Sequence, residues 1–127
     1  MSRKKTPHVL LIEDDAFLAG IYARVFTNAG FKVNVADTAT SAFGVIQKKR
    51  PDIILFERLR AEVEGFDLIA RIKADSFGRL IPVLVLTSLG ERADVKHALD
   101  AGASDYLHKA HVRPAEVVSR VFSLLTK

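Results

Sequence analysis

The chain has no cysteine and no tryptophan, a single methionine and only four prolines in 127 residues. Without cysteine there can be no disulfide framework, no thiolate zinc site and no cysteine nucleophile. No apolar run approaches the ~20 residues of a membrane-spanning helix. The apolar stretch behind the basic N-terminus is shorter than the ~7–15-residue core of a signal peptide. A cytoplasmic protein with no membrane partner is therefore expected. A glycine-rich phosphate loop is also missing, which disfavours a nucleotide or flavin binder.

What is present is enough for one core. Apolar residues make up 49% and charged residues 27%, too apolar for intrinsic disorder and the right length for one domain. The formal charge is +4, and Arg3, Lys4 and Lys5 supply three of those four charges. Residues 1–7 are expected to form a basic mobile tail, and residues 8–127 a single domain. Apart from Lys48, Lys49 and Arg50, the remaining bases are scattered among acids. A nucleic-acid interface needs a stripe of bases on one element, so the pattern argues against that partner.

The chain alternates between two kinds of segment. Val9–Ile12, Ile53–Phe56 and Pro82–Thr87 are continuous apolar runs, the signature of strands covered on both faces. Lys32–Ala36 alternates like an edge strand, and Asp105–His108 is short. Between them lie helical patterns. Leu18, Ile21, Tyr22, Val25 and Phe26 share a face of the first, stopped at Gly30. Thr38 is placed to cap the second, which carries Ala42, Val45 and Ile46 and ends before Pro51. The third runs through Phe66, Ile69 and Ile72. The fourth bears Val95, Ala98 and Leu99 and ends at Gly102, and Pro114–Leu125 forms the fifth. Five strands alternating with five helices predict an α/β fold with a doubly wound, five-stranded parallel sheet. With the second and fifth strands as edges, the flavodoxin-like order 2-1-3-4-5 fits.

Ligands of such sheets bind outside the carboxyl ends of the strands. There the sequence places Glu13 and Asp14 after the first strand, Glu57 after the third, Thr87 at the end of the fourth and Lys109 after the fifth. Three carboxylates in one cleft need a cation or a proton beside them. A lysine meets part of that need, and Mg²⁺ would meet the rest. Asp15 reads as a helix cap, and Gly30, Gly65 and Gly102 as turn or cap glycines. His108 and His111 have no further ligands near them in sequence to make a metal site.

The segments VLLIEDD, PDIILFE, VLVLTS and AGASDYLHK resemble the receiver domain of two-component response regulators over essentially the whole chain. The resemblance implies an acid pair for Mg²⁺ at Glu13 and Asp14. It also implies phosphate-contact and switch positions at Thr87, Tyr106 and Lys109. Glu57 stands where the family has its phospho-accepting aspartate. Arg60-Ala61 replaces a hydrophobic-proline pair, Ala110 replaces a proline, and the approach AHVRP is longer by about one residue. The resemblance is thus to an atypical, or pseudo-, receiver.

Such a domain is a signalling module in a phosphorelay and not an enzyme. It is expected to work without phosphorylation, through contact with a histidine kinase or an output protein. The implied face is that of the fourth helix, fifth strand and fifth helix, about Glu91–Leu125, with Lys96, His97, Tyr106 and Arg120. No cofactor is expected to be bound, and any Mg²⁺ binding should be weak. The Lys109–Ala110 bond is expected to be trans, and Glu57 to lie within reach of Lys109. Two other readings stand beside this one. One is an ordinary receiver that phosphorylates Glu57 or another acid. The other is a small Mg²⁺-dependent enzyme on the same fold.

Overall fold

A computed structural model of the chain describes residues 6–57, 67–87, 96, 98–108 and 112–126. The strands are β1 (His8–Ile12), β2 (Lys32–Ala36), β3 (Ile53–Phe56), β4 (Val83–Thr87) and β5 (Asp105–His108). The helices are α1 (Ala16–Asn28), α2 (Ala39–Lys49), α3 (Asp67–Ala74) and α5 (Pro114–Leu125). Between α3 and β4 lies a 3₁₀ turn at Gly78–Leu80. Of α4, the helical residues described are 96 and 98–100. All strand pairs are parallel, and the sheet order is β2-β1-β3-β4-β5, with the two expected strands at the edges and the inner order that of the flavodoxin-like fold.

Strand alternation sends side chains to two cores. Leu10, Ile12, Ile54, Phe56, Val83 and Val85 pack against Ala42 and Ile46 of α2 and Leu68, Ile69 and Ile72 of α3. Val9, Leu11, Ile53, Leu55, Leu84 and Leu86 pack against Phe26 of α1 and Val117, Val118 and Val121 of α5. The three central strands are apolar throughout because both of their faces are covered.

Local chemistry sets the helix ends. Asp15 is the N-cap of α1, its carboxylate accepting from the N–H groups of Phe17 and Leu18 at 3.0 and 3.1 Å. Thr38 caps α2 in a reciprocal box with Ser41. At the other end of α1 Gly30 takes φ +95°. There the Gly30 N–H donates to Thr27 O at 3.1 Å and the Phe31 N–H to Phe26 O at 3.0 Å. This is a Schellman motif, and its apolar contact is the edge-to-face Phe26–Phe31 pair, with centroids 5.0 Å apart. Phe122 of α5 packs on Phe31 at a tilt, with centroids 4.9 Å apart, tying the last helix to the first turn-back of the chain.

Three sequence expectations change. Ile21 and Leu99, read as buried-face residues, are 37% and 44% exposed. A helix on a sheet buries a stripe narrower than its run of apolar residues, so the flank of that run faces water. Pro7, assigned to the tail, is buried, and its carbonyl accepts from the Lys32 N–H at 2.9 Å. The folded unit therefore includes Pro7.

Candidate functional site

The carboxyl ends of β1 and β3 lie side by side in the sheet, Ile12 in register with Phe56. The next residue of each strand is an acid. The Glu57 N–H donates to Ile12 O and the Glu13 N–H to Ala36 O, both at 2.9 Å. The ladder therefore continues one step past each strand and fixes both main chains where the side chains depart. Both acids share the parity of Leu11 and Leu55, so they sit on the α1 side of the sheet. Glu13 is 8% exposed and Glu57 is 7% exposed.

Glu13, Glu57 and Tyr22 line one cavity together with Leu11, Ile12, Ala19, Leu55 and Leu86. Its volume is about 10 Å³, room for roughly one water molecule. One Glu13 oxygen also accepts from the N–H of Asp15 at 3.1 Å, which folds that carboxylate toward the start of α1. Tyr22 enters from α1. Burial pushes its phenol above the ordinary value, and the charges of Glu57 and Glu13 push it further in the same direction. Its hydroxyl therefore keeps its proton and remains a donor beside two carboxylates.

The other sequence-predicted residues fall in several places. Asp14 is partly exposed and does not line this cavity. Thr87 is the last residue of β4, in register with His108 of β5. Tyr106 is partly buried and packs against the core cluster that contains Val83, Val85 and Ala98. Lys109, Ala110, His111, Arg60, Ala61, Gly65, Phe66, Glu91, Val95 and His97 lie outside the described residues. So do the predicted Glu57–Lys109 contact and the Lys109–Ala110 bond. Sequence reasoning missed Tyr22, which it counted as core. The available signal was its spacing from Phe26, which places it on the sheet-facing side one turn nearer the acids.

The donor set suits a hard cation, since carboxylate oxygens are what Mg²⁺ takes. The cavity that Glu13 and Glu57 share is lined mainly by apolar side chains, and among the described residues no group of three or more acids and histidines is placed to hold a metal.

On the fifth strand and fifth helix the chemistry is different. Arg120 of α5 is paired with Asp105 of β5, both partly exposed. Beside them a shallow groove of about 250 Å³ is lined by Leu107, Val112, Glu116, Ser119, Arg120 and Ser123. The lining combines apolar, hydroxyl and charged side chains.

Comparison with known proteins agrees with the fold. Residues 9–122 match the family model described as the response regulator receiver domain. The DNA-binding response regulator MtrA of Mycolicibacterium paratuberculosis is 32% identical over 119 residues, 94% of this chain and 51% of that protein. The chain thus spans about half the length of the curated relatives it matches. A crystal structure from Chloroflexus aurantiacus J-10-fl, ascribed to the response regulators, superposes with a TM-score of 0.88 at 30% identity, covering 97% of this chain and 100% of the other. The receiver domain of a sensor histidine kinase from Pseudomonas aeruginosa PAO1, solved with magnesium in its active-site cleft, superposes with a TM-score of 0.84 at 25% identity. That match covers 96% of this chain and 99% of the other.

Proposed function

The chain belongs to the response regulator receiver domain family, and from that premise we propose that it is an atypical receiver that signals without phosphorylation of Glu57. Its role is that of a cytoplasmic protein-contact module of a two-component system. The observation that carries this reading is the residue at the end of β3. Glu57, which the family resemblance aligns with the acceptor, is almost wholly buried and departs from a main chain fixed to Ile12.

Phosphoryl transfer depends on in-line placement of the acceptor oxygen, the metal and the donor phosphorus. A glutamate carries its carboxylate about one C–C bond, ~1.5 Å, further than an aspartate. A misplacement of ~1 Å can cost about 10²-fold. A carboxylate also brings one negative charge where a phosphate brings roughly −1.5 to −2, so any mimicry of the phosphorylated state is partial. Output is assigned to the face of α4, β5 and α5, where the Asp105–Arg120 pair adjoins a groove that mixes apolar and charged side chains. The partner is a histidine kinase or an output protein or domain.

The test is incubation with a small phosphoramidate or acyl-phosphate donor and Mg²⁺, followed by intact-mass measurement. No gain of mass is expected. A stoichiometric phosphoryl group, abolished by Glu57→Gln, would overturn the proposal in favour of an ordinary phosphoryl-accepting receiver. That second reading draws support from the magnesium-bound kinase receiver to which the chain is similar.

A further inference from the structure

We propose that the basic edge of this sheet docks on the acidic edge of a second copy of the chain, so that the domain associates head to tail. All strands run the same way. Residues that lead into strands therefore gather at one edge, and residues that follow strands at the other. Bases dispersed in the sequence are collected at the first. Lys32 opens β2, Lys48 and Lys49 end α2, Arg50 is its C-cap and Arg79 lies in the 3₁₀ turn before β4. All five are exposed, and the ion pairs Lys96–Asp100 and Arg120–Asp105 do not involve them. The acids near them, Asp52 and Asp75, accept from the main-chain N–H groups of His8 and of Phe77 and Gly78. The helix dipole gives a reason for Lys48 and Lys49, but none for Lys32 or Arg79. Arg50 holds a left-handed φ of 48°, which disfavours a side chain, and its guanidinium lies 3.8 Å from the centroid of the Phe77 ring. That contact joins the end of α2 to the 3₁₀ turn and makes one patch of their bases.

The other edge has the opposite sign. Glu13, Asp14 and Asp15 follow β1, Asp37 follows β2 and Glu57 follows β3. The Glu13 N–H donates to Ala36 O at 2.9 Å, which sets Asp37 next to the acids after β1. Residues 58–66, 88–95 and 109–111, which follow β3, β4 and β5 in sequence, carry equal numbers of bases and acids and do not reverse that sign. Each edge also presents one large apolar side chain to solvent. Leu80, beside Arg79, is 71% exposed, and Phe17, two residues after Asp15, is 76% exposed, the highest values among the described large apolar residues. A nucleic-acid backbone matches the bases but has no apolar surface for Leu80. A second copy supplies acids for the bases and Phe17 for Leu80. Such a contact joins two different patches, so it does not close on itself and can add further copies. It is independent of whether Glu57 accepts phosphate.

The experiment is sedimentation velocity on the full chain over a concentration series, at ~0.1 M and at ~1 M salt, between which the screening length falls from about 10 Å to about 3 Å. The expected result is a weight-average sedimentation coefficient that rises with concentration at low salt and stays at the monomer value at high salt. Two variants assign the contact. Lys48→Glu/Arg79→Glu reverses the basic edge, and Phe17→Lys/Asp37→Lys reverses the acidic one; every residue changed is exposed, so the fold is retained. Each variant alone should stay monomeric at low salt. An equimolar mixture should associate again, because each then meets an edge of opposite sign. A chain that is monomeric at low salt overturns the proposal, and so does association that survives high salt or either variant. Binding of a DNA duplex by a chain that stays monomeric would also overturn it and reassign the basic edge to a polyanion.

Discussion

The backbone N–H of Glu57 donates to the carbonyl oxygen of Ile12 at 2.9 Å, so Glu57 and Glu13 leave adjacent strands at their shared end. Neighbouring strands lie roughly 4.8 Å apart. That spacing puts the two carboxylates in one electrostatic environment, and Tyr22 is the group that senses it. Burial is the larger cause of its raised pKa, with the charge of Glu57 next. Glu57→Gln removes the second cause and leaves the first. In a Tyr106→Phe background, where Tyr22 is the chain's single tyrosine, the phenolate absorbance should titrate at lower pH once Glu57 is neutralised. It should still titrate above 10.0, the ordinary value. An unchanged midpoint would mean that the two groups do not interact.

Asp75 provides a pH prediction of opposite sign. Its carboxylate accepts from the N–H groups of Gly78 and Phe77, at 2.9 and 3.0 Å. These bonds, that of Gly78 foremost, hold its pKa below the ordinary 3.8. A folded pKa below the unfolded one contributes stability that is present above the unfolded value and lost as pH falls through the folded value. Urea unfolding should therefore show a stability gap between the wild-type chain and Asp75→Ala at neutral pH, and that gap should narrow once the pH drops well below 3.8. A gap that is constant with pH would show that the carboxylate charge is irrelevant to the turn.

The two positive-φ glycines should respond differently to alanine. Gly30 has φ +95° and open space around a would-be Cβ, whereas Gly102 has φ +116° and Lys73 Cγ only 2.7 Å from it. Gly30→Ala should cost about 1–2 kcal/mol for the left-handed backbone alone. Gly102→Ala should cost more, because the Lys73 side chain must also move from its bond to the Ile81 carbonyl. Equal losses in chemical denaturation would contradict the crowding at Gly102.

Phe26 is fully buried and is at once a core residue of α1 and the apolar partner in its C-terminal motif. Phe26→Ala should cost about 3–5 kcal/mol, a large share of the roughly 5–15 kcal/mol that stabilises a domain of this kind. Phe26→Leu should recover most of that in the same denaturation measurement. If alanine and leucine are equally tolerated, the Phe26–Phe31–Phe122 cluster is not what closes this side of the sheet.

The parallel sheet, its two edge strands and the position of the acids could be read from the sequence because they depend on one-dimensional signals, whereas the order of the three inner strands followed only by likeness to the flavodoxin-like fold. Apolar runs flanked by helical patterns can bury both faces only in a parallel sheet, and acids directly after two such runs must emerge at the same edge. Asp15 was legible as a cap for a similar reason, since capping is decided within three residues. Tyr22 was legible only as a sheet-facing residue. Helical periodicity put it with Leu18, Val25 and Phe26, and only the tertiary structure shows that it lines a cavity with two carboxylates. Ile21 and Leu99 were misread because the width of the covered stripe depends on how neighbouring elements sit. The exposure of Phe17, at 76%, is likewise set by tertiary placement.

The strand order also constrains the sequence of events when the chain folds. β1 is made first yet has neighbours on both sides, β2 and β3, and no two strands of a parallel sheet can be joined by a tight hairpin. Its pairing with β3 closes a loop of about 40 residues, which carries an entropic cost before any contact repays it. The edge that will carry Glu13 therefore stays open until Phe56 has emerged and docked. In kinetic terms the acid pocket cannot precede the pairing of β1 with β3. Its two carboxylates meet only when the N-terminal half of the sheet has closed around the strand synthesised first.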